Sequence, residues 1–260
     1  EKPPGKNLKD LLSVKKVFSQ KKNLKLKYGF NHRYHESIKK VKKIIDDRIF
    51  GDVINFRCVY GKSKIVTFDK YEWRSKRKYA GGGILLDQGI HLIDLIIYLS
   101  KGTYDEIYGF ISNKYWKHDV EDNAFAIMRN KHGLIASIHS SATQWKHKFS
   151  IEISLTKALI ELNGILSGSK SYGKETLTIY HKDTSTKKGS QKKEQYYFKN
   201  DNSWKDEIDE FANIIINNQK VSIGNIKDSL KVMETLERIY HSDIQWKKKF
   251  MHWLNPQKNT

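Results

Sequence analysis

Gly81-Gly82-Gly83-Ile84-Leu85-Leu86-Asp87-Gln88-Gly89-Ile90-His91-Leu92-Ile93-Asp94 joins a glycine triplet to an apolar run that continues to Leu99. Glycine inside a helix costs about 1 kcal/mol relative to alanine, so the triplet reads as loop and the helix as starting near Ile84. Leu85, Leu86, Ile90, Ile93, Ile96 and Ile97 make that helix apolar around most of its circumference, which predicts burial. Asp87 and His91 are four residues apart, a spacing that puts both on one face. Asp94 follows three residues later on nearly the same stripe. A carboxylate and an imidazole on a buried helix need each other or a cavity. Such a pair suits proton transfer with a substrate hydroxyl, and it equally suits a structural ion pair. Only two good metal ligands lie close together here, so no metal is expected.

After this helix the pattern changes to period two. Residues 104–115, 123–129, 134–143, 149–155, 158–162 and 176–180 read as strands, with Phe149, Ile151, Ile153 and Leu155 on one side and Ser150, Glu152 and Ser154 on the other. Asn130-Lys131-His132-Gly133 and Asn163-Gly164 are turn signals. Successive antiparallel strands predict an α+β fold: a large open, predominantly antiparallel sheet with helices on one face. Before the glycine run, residues 7–20 and 35–47 show helical spacing. Residues 25–30 and 53–60 alternate like strands. Residues 182–195 are polar and aperiodic and read as a mobile loop. Residues 203–218 read as a helix opened by a Ser203/Asp206 capping box, and 226–246 as a closing helix.

The 260 residues, 38% of them hydrophobic, suffice for a sizeable core. No uninterrupted apolar run approaches the ~20 residues of a membrane span. The start Glu1-Lys2-Pro3-Pro4 is unlike a secretory leader. Cys58 alone cannot form an internal disulfide, and it lies in a strand-like run as a buried thiol. These features point to a reducing cytoplasm. The net charge of +19 raises nucleic-acid binding. However, the cations are 41 Lys against 7 Arg, spread over the whole chain, whereas base and phosphate readers favour clustered Arg. A specific nucleic-acid partner is not expected. The positive field favours an anionic substrate.

Three segments together resemble the Gfo/Idh/MocA oxidoreductases: Glu1-Lys2-Pro3, the run Gly29-Phe30-Asn31-His32-Arg33-Tyr34-His35, and Trp73-Arg74 followed by Gly81-Gly82-Gly83 and the Asp87/His91 helix. Val120-Glu121-Asp122-Asn123 and the closing helices sit where that family has them. The resemblance implies that residues 1–34 are the remnant of a dinucleotide-binding domain. Its last β/α elements, from an incomplete Rossmann domain, would precede a substrate-binding and oligomerisation domain over 35–260. It implies hydride transfer between NAD or NADP and a hydroxyl carbon of a sugar, cyclitol or nucleotide sugar. Lys2 would steady charge on the reacting oxygen, His91 would take the hydroxyl proton, and Asp87 would orient His91 or the sugar. Glu1, Lys2 and Pro3 would meet the cofactor in a tight turn that a cis Lys2–Pro3 bond suits. Arg33, Trp73, Arg74, Gln144 and Trp145 would contact the carbohydrate. A homo-oligomer through the open sheet is implied. No G-x-G-x-x-G follows a strand in this sequence, so the main cofactor motif is missing and NAD cannot be told from NADP. This chain by itself is expected to be inactive as a dehydrogenase. The alternative is an inactive relative kept as a sugar-binding or assembly module.

Overall fold

In a computed structural model that describes residues 1–21, 23–62, 73–182 and 191–250, the alternating runs form one eight-stranded sheet. Its strands are β1 (Val53–Gly61), β2 (Glu106–Ser112), β3 (Asn123–Arg129), β4 (Ile135–Ser141), β5 (Lys148–Leu155), β6 (Ala158–Asn163), β7 (Glu175–His181) and β8 (Lys193–Phe198). The spatial order is β2-β3-β4-β1-β5-β6-β7-β8. Every pairing is antiparallel except β1 with β4. Phe56, Cys58 and Tyr60 of β1 are buried, as are Ile151 and Ile153 of β5 and Ala136 and Ile138 of β4. The opposite face of β2, β3 and β4 leaves Tyr108, Phe110, Phe125, Ile127 and Ile135 exposed.

The helices are α1 (Leu8–Ser19), α2 (Glu36–Asp46), α3 (Arg77–Ala80), α4 (Ile90–Ser100), α5 (Ser203–Ile216), α6 (Ile226–Ser242) and α7 (Ile244–Phe250). The Asn7 side chain caps α1 by accepting from Asp10 N–H at 2.9 Å, and Asn225 caps α6 through Lys227 and Asp228 N–H. Helix α4 is the core of the domain. Ile90, Leu92, Ile93 and Leu95 are fully buried, between β1 and β4 on one side and α6 on the other. The stretch Arg77–Ser100, interrupted at the glycine triplet, has the length and hydropathy of a membrane span, yet 83% of its apolar window is buried inside the fold. Interruption by His91 and Asp94 does not remove that signal; its explanation is core packing.

The glycine triplet serves this packing. Gly81 ends α3 at φ +83, a left-handed conformation that L side chains disfavour. At Gly83 a Cβ would lie 2.1 Å from the Glu121 carbonyl oxygen. The triplet therefore lets the helix approach the 121 loop. Buried Glu121 then caps that helix: its Oε1 accepts from Leu85 N–H at 2.9 Å and from the Tyr240 hydroxyl at 2.6 Å.

Several local expectations are corrected. Residues 25–30 form no strand. The segment pairs with no strand of the sheet, and Tyr28 N–H bonds to the Gly224 carbonyl instead. The end of the expected 182–195 loop belongs to edge strand β8, which pairs with β7; residues 183–190 lie outside the described residues. Ser203 does not open a capping box. Asn202 holds the cap position without a side-chain bond, and Asp206 pairs with Lys39 at 2.5 Å. The closing helix breaks at Asp243, whose carboxylate accepts from Trp246 N–H and from Ile111 N–H of β2.

Candidate active site

The helix that carries Asp87 and His91 is not regular. Leu85–Gly89 form a single π-turn leading into α4. Such bulges insert extra backbone into a helix and re-aim side chains. The i,i+4 alignment expected of a regular α-helix is therefore disturbed at this point. Asp87 and His91 make no hydrogen bond to each other. Asp87 Oδ1 accepts from the Lys2 ammonium at 3.0 Å, and Oδ2 accepts from Lys62 Nζ at 3.2 Å and Gln88 Nε2 at 2.9 Å. Lys2 Nζ also donates to the Asp87 carbonyl. The expected orienting of His91 by Asp87 is thus replaced by a Lys2–Asp87–Lys62 cluster. Burial pushes the Asp87 carboxyl up, but the two ammonium groups outweigh it and hold the group well below the usual carboxylate range.

His91 is 3% exposed. Its Nδ1 is fully buried with no partner, and its side chain makes no hydrogen bond among the described residues. Burial, then the charges of Lys2, His35 and Lys62, keep its proton affinity well below that of a free imidazole. His91 is therefore neutral at pH 7, with a nitrogen lone pair available to accept a proton. A buried polar atom without a partner costs about 1–3 kcal/mol. In a native fold it calls for a specific explanation, of which a catalytic role is one.

Lys2 and Asp87 face a cavity of about 330 Å³ also lined by Glu1, Trp73, Arg74 and Tyr79. The Lys2–Pro3 bond is cis. The Arg74 guanidinium lies 4.5 Å from the Trp73 ring centroid. The structure thus brings together Glu1, Lys2, Pro3, Trp73, Arg74 and Asp87. It does not bring Arg33 there. Arg33 is 4% exposed and binds Asp94 through Nε at 2.9 Å and a terminal nitrogen at 2.6 Å, and Asp228 at 2.9 Å. Its guanidinium is spent inside the fold, so the expected carbohydrate contact is corrected to a buried ion pair. Gln144 and Trp145 do not line the cavity. Gln144 N–H donates to the Lys62 carbonyl at 3.1 Å. Trp145 is exposed, at φ +54, with its ring edge-to-face against Tyr115 at 4.9 Å.

The sequence analysis missed Lys62, His32, Tyr60 and Tyr172. Lys62 follows the last residue of β1, and no local signal separates it from the other lysines. Tyr60 points inward from β1, and Tyr172 hydrogen-bonds to it. Burial raises the affinity of both hydroxyls for their protons, with the nearby Asp87 charge adding to it. His32 lies in the quoted Asn31-His32-Arg33 segment and stacks on His91. Among the described residues no group of three or more His, Cys, Asp or Glu side chains is arranged to hold a metal ion.

Residues 38–161 match the family model of the GFO/IDH/MocA C-terminal domain. Over 107 residues the chain is 28% identical to glucose-6-phosphate 3-dehydrogenase of Bacillus subtilis (strain 168), covering 40% of this chain and 30% of that protein. The match therefore spans less than a third of that relative's length. The fold is similar to levoglucosan dehydrogenase in complex with NADH, at a TM-score of 0.79 and 18% identity, covering 93% of this chain and 70% of that one. Aldose-aldose oxidoreductase from Caulobacter crescentus aligns at a TM-score of 0.75 and 19% identity, covering 92% and 67%. An NAD binding oxidoreductase from Klebsiella pneumoniae aligns at 0.78 and 15%, covering 94% and 70%.

Proposed function

We propose, from the match of residues 38–161 to the GFO/IDH/MocA C-terminal domain model, that the chain is the substrate-binding part of a nicotinamide-dependent oxidoreductase acting on a sugar hydroxyl. The observation that carries this reading is the Lys2–Asp87–Lys62 cluster, whose Lys2 and Asp87 line a cavity; His91 follows on the same helix, buried behind the cavity lining, with its Nδ1 unpartnered. When bound, the nicotinamide group supplies the acceptor for the hydride leaving the carbinol carbon. The residues present fit one end of that group. Trp73 and Tyr79 offer aromatic surface, and Arg74 pairs with no carboxylate among the described residues. Glu1, Lys2 and Pro3 would hold this end, while no glycine-rich strand–turn–helix cradle occurs among the described residues.

The chain's own residues divide the remaining work. His91 accepts the hydroxyl proton as the C–H bond breaks, so proton and hydride leave the same substrate carbinol. Lys2 donates to the oxygen that becomes a carbonyl and steadies its developing charge. Asp87 holds Lys2 in place, and Lys62 in turn holds Asp87. The Arg74 guanidinium and the Lys6 ammonium pair with no carboxylate among the described residues and stand at the cavity, which favours an anionic sugar. Glucose 6-phosphate, named in the Bacillus subtilis relative, exemplifies that class. The exposed sheet face is read as the contact with a second copy, and the single buried Cys58 as suited to a reducing cytoplasm.

The test is nicotinamide reduction by the protein expressed from its full reading frame, across neutral and phosphorylated sugars, cyclitols and nucleotide sugars. His91→Ala lowers turnover by roughly 10²–10⁴-fold, the usual contribution of a general base, with a smaller change in substrate binding. Lys2→Met lowers it similarly. Wild-type turnover in His91→Ala refutes the proposal. Saturable sugar binding without any turnover in the parent supports a binding module instead.

A further inference from the structure

His91 has no hydrogen bond to fix the plane of its ring, yet a proton acceptor must present its nitrogen in one direction. What holds the ring is a neighbour's face. The His32 imidazole lies parallel to it, with centroids 3.8 Å apart and planes 15° apart. His32 is itself anchored at both nitrogens. Nδ1 is 3.1 Å from Asn31 Oδ1, and Nε2 is 3.2 Å from the Tyr60 hydroxyl. The Asn31 amide nitrogen donates to Ser203 Oγ at 3.3 Å. This leaves the Asn31 oxygen facing His32, where it can only accept. Nδ1 of His32 therefore carries the proton, and Nε2 accepts from Tyr60. Tyr60 in turn bonds to Tyr172. The chain Ser203–Asn31–His32–Tyr60–Tyr172 braces one neutral ring flat against another.

We infer that His32 is the positioning residue for His91, setting the plane of the buried imidazole through the stack. This rests on the reading of His91 as proton acceptor. The stack has an electrostatic consequence. Two rings 3.8 Å apart in a dry site cannot both carry charge, so a protonated His91 requires a neutral His32, which the Asn31–Tyr60 bracket supplies. The groups facing the pair are Lys2, Lys62, His35, Tyr60 and Asp87. The lysines and His35 disfavour a charged ring, and Asp87 is offset by the lysines it binds. His35 is occupied by Glu175 at 2.9 Å. His32 is thus the neighbour that touches His91 face to face and has its own proton placement fixed.

The experiment compares His32→Phe, which keeps a flat ring, with His32→Ala, which removes it. The first readout is the titration of His91 followed by imidazole NMR, which needs no activity. Burial is the main cause of the lowered His91 proton affinity, so removing the stacked ring moves the His91 midpoint upward in His32→Ala, whereas the flat ring of His32→Phe leaves it near the parent's. The second readout is turnover of the full-length protein on its best substrate. His32→Ala lowers kcat by about 10-fold or more with little change in KM, because misplaced reacting groups lose rate rather than affinity; His32→Phe recovers most of it. An unmoved His91 titration in folded His32→Ala overturns the inference, and if His32→Ala fails to fold, a kcat of His32→Phe about 10-fold or more below the parent's overturns it. Equal kcat in wild type and His32→Ala also overturns it. If His91→Ala proves fully active while the NMR shift appears, the catalytic reading has failed and the stack stands.

Discussion

Removing the Arg33 guanidinium separates two accounts of this residue. In the carbohydrate-contact account Arg33→Met weakens substrate binding and leaves stability nearly intact. The structure requires the reverse. Asp94 is 0% exposed, and Arg33 supplies both hydrogen bonds to its carboxylate, at 2.9 and 2.6 Å. The cation also lies 4.7 Å from the Tyr98 ring centroid. Burial already pushes the Asp94 carboxyl up, and Arg33 is the group that opposes this. Deleting one partner of a buried pair leaves an uncompensated charge and typically costs 3–5 kcal/mol, with roughly the same sum expected here. That is a large share of the ~5–15 kcal/mol that holds a domain folded. Arg33→Met should lower the urea midpoint accordingly. Arg33→Met with Asp94→Leu should recover most of the loss, since an apolar replacement of both partners removes the stranded charge. Folded Arg33→Met protein should keep its substrate KM. A stability loss below about 1 kcal/mol, together with a raised KM, would refute the argument and return Arg33 to the substrate.

Two further outcomes follow from the same geometry. Both stacked histidines bind protons less readily in the fold than the unfolded value of 6.5, so the unfolded chain gains protons first as pH falls below that value. Stability then drops by up to about 1.4 kcal/mol per pH unit for each ring. Glu207, raised by burial to about 7 from 4.5, acts oppositely between those values. Urea denaturation at pH 7 and pH 5 should therefore show a smaller acid loss in His32→Phe than in the parent, and equal losses would contradict the stack. On the open sheet, Tyr108, Phe110, Phe125 and Ile127 form an exposed apolar face that is proposed to meet a second copy. Phe110→Glu with Ile127→Glu should convert a sedimenting dimer or larger species to monomer, and a parent that is already monomeric at micromolar concentration removes the idea.

What could be read from the residues alone was whatever repeats locally. The alternation of Phe149, Ile151, Ile153 and Leu155 reports a face because neighbours two apart share it, and β5 runs Lys148–Leu155 as expected. Strand β8 escaped because its period-two signal is carried by Tyr196 and Phe198 among charged and polar residues at a sheet edge, where burial is partial. Residues 25–30 showed the opposite error, since alternation without an available edge makes no strand. The π-turn at Leu85–Gly89 has no compositional signature. The one local geometry that reasoning from Asp87 and His91 depended on was therefore the one that periodicity could not supply. The rest of the site consists of long-range pairs: Lys2 with Asp87, Lys62 with Asp87, His32 with His91, Arg33 with Asp94. No spacing rule reports such pairs. Family resemblance pointed to Lys2, Asp87 and His91 but could not say what each would touch. The turn Asn31–Tyr34 illustrates the difference: its adjacent residues do separate things. Arg33 turns to Asp94 and neutralises the interior of α4, while His32 turns to the ring one helical turn earlier. The charged Asp94 carboxylate and the neutral His91 imidazole on that helix, both without a proton, are thus each met by a neighbour from one turn of chain.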